Sequence, residues 1–227
     1  MKDNSIYRLG GICSFLVGLS YVVAGITTFF MPPALNGVPD VRSPFTYFEA
    51  NKTMLLTNYW ALGLGAVFAL AMIPAVSATV QHLNEGWVRW TSTLALIAFA
   101  VTFLDNYWAI VETPARASAY VTGDAAWRAA LTVPGAPQQI DVQSWLANGA
   151  VGLWGLVVSL LALRGKAWPR GLALLGIVGA FTYFLGLASS VIPELTVSGA
   201  GMLVAGMGAV LAPIWFGWMG IVLRRTG

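Results

Sequence analysis

Six apolar stretches, each of about twenty residues or more, follow one another along the chain at about 8–30, 55–80, 87–111, 142–163, 171–191 and 199–223, with the polar residues gathered between them. A hydrocarbon core of ~30 Å needs about 20 residues of helix to cross it, so each stretch is long enough. The apolar residues run on continuously instead of alternating with period two, which excludes the strands of a membrane barrel. Backbone groups in lipid must then be bonded within the segment, as helix. The pattern predicts an all-α membrane protein, a six-transmembrane-helix bundle formed by residues 1–227 as one domain.

The connections are unequal. Those around Glu85-Gly86 and Arg164-Gly165-Lys166 read as tight hairpins, whereas 31–53 and 112–141 are long. Pro32-Pro33 stop the first helix. Ser43-Pro44 reads as an N-cap followed by proline at the first helical position. The next residues, 45–49, predict a short interfacial helix with its aromatic side toward lipid. Thr113-Pro114 repeats the cap-then-proline signal. Residues 124–131 predict a second interfacial helix, broken by Pro134, Gly135 and Pro137. Long loops in compact proteins are usually functional or flexible, so this side of the bundle is where a site is expected.

Charge adds an orientation. Only 9% of the residues are charged and 58% are hydrophobic, against about 25% charged in a soluble domain. Lys2, Arg8, Arg89, Arg164, Lys166, Arg170, Arg224 and Arg225 fall on the side of the termini, and Arg42, Lys52, Arg116 and Arg128 on the side of the long loops. Basic residues accumulate on the cytoplasmic side, so both termini are expected there, with the long loops outside. The net charge of +3 follows from this topology and does not argue for nucleic acid. Residues 1–5 precede a full-length span with no small-residue cleavage site, so the first helix is expected to be a retained anchor. Cys13 is the only cysteine, which excludes an intrachain disulfide.

Small residues at four-residue spacing let helices approach closely where lipid gives no hydrophobic drive. Three such stripes are expected to be contact faces: Gly10, Ser14 and Gly18; Ala61, Gly65 and Ala69; Gly201, Ala205 and Ala209. Pro74 and Pro213 are expected to kink their helices.

Few polar residues lie where lipid makes them costly. To span, the third helix must continue through Asp105 to about residue 111, which places a carboxylate roughly 8–10 Å below the outer boundary. Glu112, seven residues on, falls on nearly the same face. Asn58 and Asn148 lie at comparable depth, and the triplet Asn-Tyr-Trp occurs at both 58–60 and 106–108. The candidate outer pocket is therefore Asn58, Tyr59, Asp105, Asn106, Trp108, Glu112 and Asn148. In the competing reading Asp105 sits among headgroups or pairs with Arg42, Lys52, Arg116 or Arg128, and the aromatic residues form an interfacial belt.

Other chemistry is scarce. His82 is the only histidine, so neither a histidine-built metal site nor bis-histidine haem is expected. All three lysines lie outside the spans, no nucleotide-binding or hydrolase motif occurs, and the centre of the bundle is apolar. No cofactor signal is present; a bound lipid is compatible with the sequence.

The first helix opens Tyr7-Arg8-Leu9-Gly10-Gly11, and the fifth opens Trp168-Pro169-Arg170-Gly171-Leu172-Ala173-Leu174-Leu175-Gly176. Both openings resemble an uncharacterised bacterial family of six-helix integral membrane proteins, a domain of unknown function. The resemblance implies the bacterial cytoplasmic (inner) membrane and no particular activity.

Three functions compete. The first is a non-catalytic accessory subunit that packs against other membrane chains in a larger assembly. The second is a binding or transport module for a small molecule or lipid, with an outward pocket. The third is a lipid- or quinone-modifying enzyme using Asp105 or Glu112 as acid or base.

Overall fold

The continuous apolar runs leave the backbone no partner but itself, and helix is what forms. The computed structural model describes residues 4–30, 44–131, 140–141, 144–192 and 200–226, with the backbone alone at Pro44 and 200–205. Its α-helices are α1 (Ser5–Phe30), α2 (Pro44–Ala50), α3 (Lys52–Val80), α4 (Glu85–Thr122), α5 (Ala125–Leu131), α6 (Val151–Gly165), α7 (Arg170–Val191) and α8 (Ala200–Thr226). A 3₁₀ turn, Gln81–Leu83, links α3 to α4, and a π-helical turn, Trp145–Ala150, leads into α6. Six of these helices (α1, α3, α4, α6 with its π turn, α7 and α8) are long and apolar enough to cross a membrane. The protein is an integral membrane helical bundle.

The six spans form a ring in chain order. Each packs on its neighbours in sequence, and α8 closes the ring on α1. Helix α3 also touches α6 and α8, and Met72, Ile73, Ala75 and Val76 on it are fully buried. Both ends of the chain lie at one end of the bundle, because Gly11 faces Arg224 across the α1–α8 contact. That end carries the tight turns and is called here the hairpin end; the opposite one is the long-loop end.

Close approach depends on the missing side chains of glycine. Gly10 lies against Ala75, and a Cβ on Gly11 would stand 3.1 Å from the Gly220 carbonyl oxygen. Gly25 meets Ala209, and Gly65 meets Ser20, each leaving 3.0 Å for an added Cβ. Gly18 packs on Phe216 and on the Pro213 carbonyl. Ser14, fully buried, donates its hydroxyl to the Phe216 carbonyl at 2.6 Å. Ala61 and Ala69 are buried on α3. Gly201 and Ala205 fall where only the backbone is described, so their contacts lie outside the described residues. Side-chain hydrogen bonds add to this packing: Trp154 donates its indole N–H to Ser77 Oγ at 3.1 Å, and Ser77 pairs with Ser92 at 2.7 Å, joining α6, α3 and α4.

Two expectations are corrected. Thr113-Pro114 does not start a new element: α4 runs unbroken through Pro114 to Thr122. At 38 residues it is about 57 Å long, far more than a ~30 Å core. Proline removes one N–H, which frees only the carbonyl of Ile110. The emergent turns of α4 also have a partner. Helix α2 buries Phe45 and Phe48 against Ala117, with Leu55, Leu56, Tyr59, Tyr120 and Leu131 around them. The aromatic side of α2 is therefore turned onto protein, not onto lipid. Helix α5 starts after Asp124, whose carboxylate accepts the Trp127 N–H at 2.9 Å as a cap.

Candidate functional site

Between α1, α7 and α8, at the long-loop end, lies an open-sided cavity of about 1090 Å³. Along α1 it runs from Tyr21 to Phe30, and along α8 from Gly206 to Phe216. Ten helical residues correspond to about 14 Å, half of a ~30 Å hydrocarbon core. Helix α3 contributes Asn58 and Leu62, and α6 with its π turn contributes Asn148, Val151, Trp154 and Gly155. Among the described residues no Asp, Glu, Lys, Arg or His lines it.

Its polar groups come from a few neutral side chains. Asn58 donates its carboxamide N–H groups to the Ala24 carbonyl (3.0 Å), Thr27 Oγ1 (2.8 Å) and Thr28 Oγ1 (3.1 Å), which ties α3 to the end of α1. Its carbonyl oxygen has no partner among the described residues. The carboxamide of Asn148, held against the backbone of Gly186, has no partner among them either. Tyr21 and Tyr183 join their hydroxyls at 3.0 Å between α1 and α7. Deeper in the bundle, the indoles of Trp154 and Trp215 meet edge to face with centroids 6.2 Å apart. Trp215 Nε1 and Ser159 Oγ, both buried beside Gly176, have no hydrogen-bond partner among the described residues. Leaving such a group unpaired costs about 1–3 kcal/mol.

The residues singled out from the sequence separate into groups. Asn58 and Asn148 both line the cavity. Tyr59 packs instead into the cluster around Phe45 and Phe48. Asp105 turns toward the chain before α6, where its carboxylate accepts the N–H groups of Ile140 (2.7 Å) and Asp141 (3.4 Å). Asn106 donates back to the Thr102 carbonyl within α4 at 2.7 Å, Trp108 is exposed, and Glu112 pairs with Arg116 at 3.3 Å. None of these five lines the cavity.

Residues 16–222 match a family described as a domain of unknown function, DUF4386. The chain is a member of DUF4386. No curated protein and no solved structure matches it. All the residues that line the cavity fall inside the part matched to DUF4386.

Tyr21, Trp154, Gly179, Tyr183 and Trp215 complete this DUF4386 site and did not stand out in the sequence. One signal was present. Tyr and Trp favour membrane interfaces, yet these four aromatic residues lie in mid-span, where a belt does not explain them.

Proposed function

We propose that the protein is a membrane-embedded binding module that holds an uncharged, largely apolar molecule in this cavity. The observation that carries the reading is an apolar cavity whose lining includes two side chains with unmet hydrogen-bonding capacity among the described residues, the carboxamide of Asn148 and the carbonyl oxygen of Asn58. Ligand sites are typically apolar concavities with a few placed polar groups, and volumes near 1,000 Å³ lie at the upper end of their range. The lack of charge on the wall argues against an ionic ligand, since an unpaired ion in a low-dielectric site is strongly disfavoured.

The competing functions have less support. The small residues of α1 and α3, and Ala209 of α8, pack within the bundle, so they do not call for a partner chain. Asp105 and Glu112 lie off the cavity wall and are bonded elsewhere, so the enzyme reading draws no support from them. We also propose that the hairpin end, with eight of the twelve Lys and Arg residues, faces the cytoplasm of a bacterium, so that the cavity lies in the outer half of the inner membrane.

Native mass spectrometry from mild detergent tests the binding reading. The expected result is a small-molecule adduct at one per chain, weakened in Gly179→Leu, because a Cβ at Gly179 meets open space and a larger side chain would project into the cavity. Wild type carrying no adduct under any mild condition would remove the proposal.

A further inference from the structure

The shape of the cavity says more about its occupant than its volume does. It is lined both by buried residues, such as Trp154 and Ala180, and by residues on the lipid-facing surface, among them Ile26, Phe29 and Val210. The space inside the ring is thus continuous with the surface that faces lipid, and a molecule dissolved in the bilayer enters sideways without passing through water.

The lining is graded along the membrane normal. Thr28, Asn58 and Asn148 stand toward the long-loop end, and toward the middle of the bundle stand the indoles of Trp154 and Trp215 and the hydroxyls of Tyr21 and Tyr183, which bond each other. The bilayer has the same gradient, with polar linkages at the interface and hydrocarbon below. The length of about 14 Å is that of one leaflet.

The glycines separate into two kinds. At Gly10, Gly11, Gly25, Gly65, Gly152 and Gly220 a neighbouring atom stands where a Cβ would need room, so packing explains the glycine. At Gly86, Gly179, Gly206, Gly208 and Gly217 a Cβ would meet nothing within 4 Å among the described residues, and three of these five, Gly179, Gly206 and Gly208, lie on the cavity wall. Glycine lowers helix stability relative to alanine, and packing offers no compensation there. A guest lying along α7 and α8 does.

We propose that the occupant is a single long hydrocarbon chain joined to an uncharged hydrogen-bonding group, drawn laterally from one leaflet. The chain lies along Gly179, Gly206 and Gly208 with its end near Trp154 and Trp215. The ester, carbonyl or hydroxyl group sits between Asn58 and Asn148. Asn148 both donates and accepts, and Asn58 accepts through its carbonyl oxygen, so either kind of group is satisfied. Two sources share this chemistry: an acyl chain of a membrane lipid with its headgroup outside the cavity, and a neutral isoprenoid alcohol or quinone. The inference rests on the binding reading proposed above.

The test uses the full chain in lipid nanodiscs and a long-chain fatty-acid methyl ester as photoprobe, with a diazirine either beside the ester or at mid-chain. The ester-proximal diazirine is expected to label peptides containing Asn58 or Asn148, and the mid-chain diazirine those containing Trp154, Gly179 or Trp215. Labelling should fall at least tenfold in Gly179→Leu and should persist in Gly179→Ala, which controls for folding. Competition by an unlabelled phospholipid or by a neutral isoprenoid tells the two sources apart, and either result supports the proposal. Labels spread over lipid-facing positions such as Leu19 and Ile97, unchanged in Gly179→Leu, would overturn it. So would displacement by a compact lipophile but by no chain; that result leaves the binding reading standing.

Discussion

The carboxylate of Asp105 on α4 accepts the backbone N–H of Ile140 at 2.7 Å, across 35 residues of sequence. Asp141, next in the chain, accepts the N–H groups of Leu146 (2.9 Å) and Ala147 (2.7 Å) at the start of the π turn. Two acids in series therefore pin the entry to α6 onto α4 and satisfy donors that lipid would leave bare. This places Asp105 in the architecture around the cavity, not on its wall. Asp105→Ala is expected to cost about 1–2 kcal/mol, the scale of a charge-assisted hydrogen bond. Hydrogen exchange at residues 140–147 should speed up, while the adduct seen by native mass spectrometry is retained. An adduct lost with no change in exchange would return Asp105 to the binding site.

Asn58 has two roles, as the tie between α3 and α1 and as a polar point on the cavity wall. Interhelical hydrogen bonds in membranes average about 0.6 kcal/mol, with a maximum near 1.7. Asn58→Leu, which removes three acceptor contacts, should therefore lower stability by roughly 1–2 kcal/mol in a detergent-denaturation series. Asn148→Leu should leave stability nearly unchanged, because no bond is lost, and should weaken retention of the adduct. Equal losses of stability in the two variants would show that Asn148 is a structural residue too.

Glycine substitutions should change stability in opposite directions. Gly10→Val forces a side chain into Ala75 and is expected to cost about 1–3 kcal/mol through overpacking. Gly179→Ala, with open space around its Cβ, is expected to raise the stability of ligand-free protein by about 0.5–1 kcal/mol. Thermal unfolding of delipidated samples reads both. A destabilising Gly179→Ala would mean that α7 packs more tightly there than the structure shows.

The cluster of Phe45, Phe48 and Ala117 is separate from the main core. Phe48→Ala removes one of the largest fully buried side chains and should cost about 3 kcal/mol locally. The expected signature is faster hydrogen exchange over α2 and the last turns of α4, with the six-helix ring unaffected. Uniform loosening of every span would contradict the separation.

The six spans were legible because the requirement they meet is coarse: about twenty apolar residues each, helical because lipid accepts nothing else. The short helix α2 was legible from the cap-then-proline signal at Ser43-Pro44, and α5 as a helical stretch over 124–131, although its cap at Asp124 came only with the structure. The end of α4 was misread because Thr113-Pro114 looks the same whether it starts a helix or lies within one. Only the packing of Phe45 and Phe48 on Ala117 tells them apart, and that contact joins distant parts of the chain. Of the cavity, Asn58 and Asn148 were legible as polar residues in costly places. Trp154, Gly179 and Trp215 were not, because in lipid the inward side of a helix is no more apolar than the outward side. Hydropathy therefore carries no signal about which way they face.

The most direct measurement is a density map of the natively purified protein in lipid nanodiscs at side-chain resolution. The predicted result is elongated density within the ring, passing Gly179 and ending near Trp154 and Trp215, with a polar feature at hydrogen-bonding distance from Asn148. Helices α7 and α8 packed together over Gly179, with the space closed and nothing inside, would contradict it.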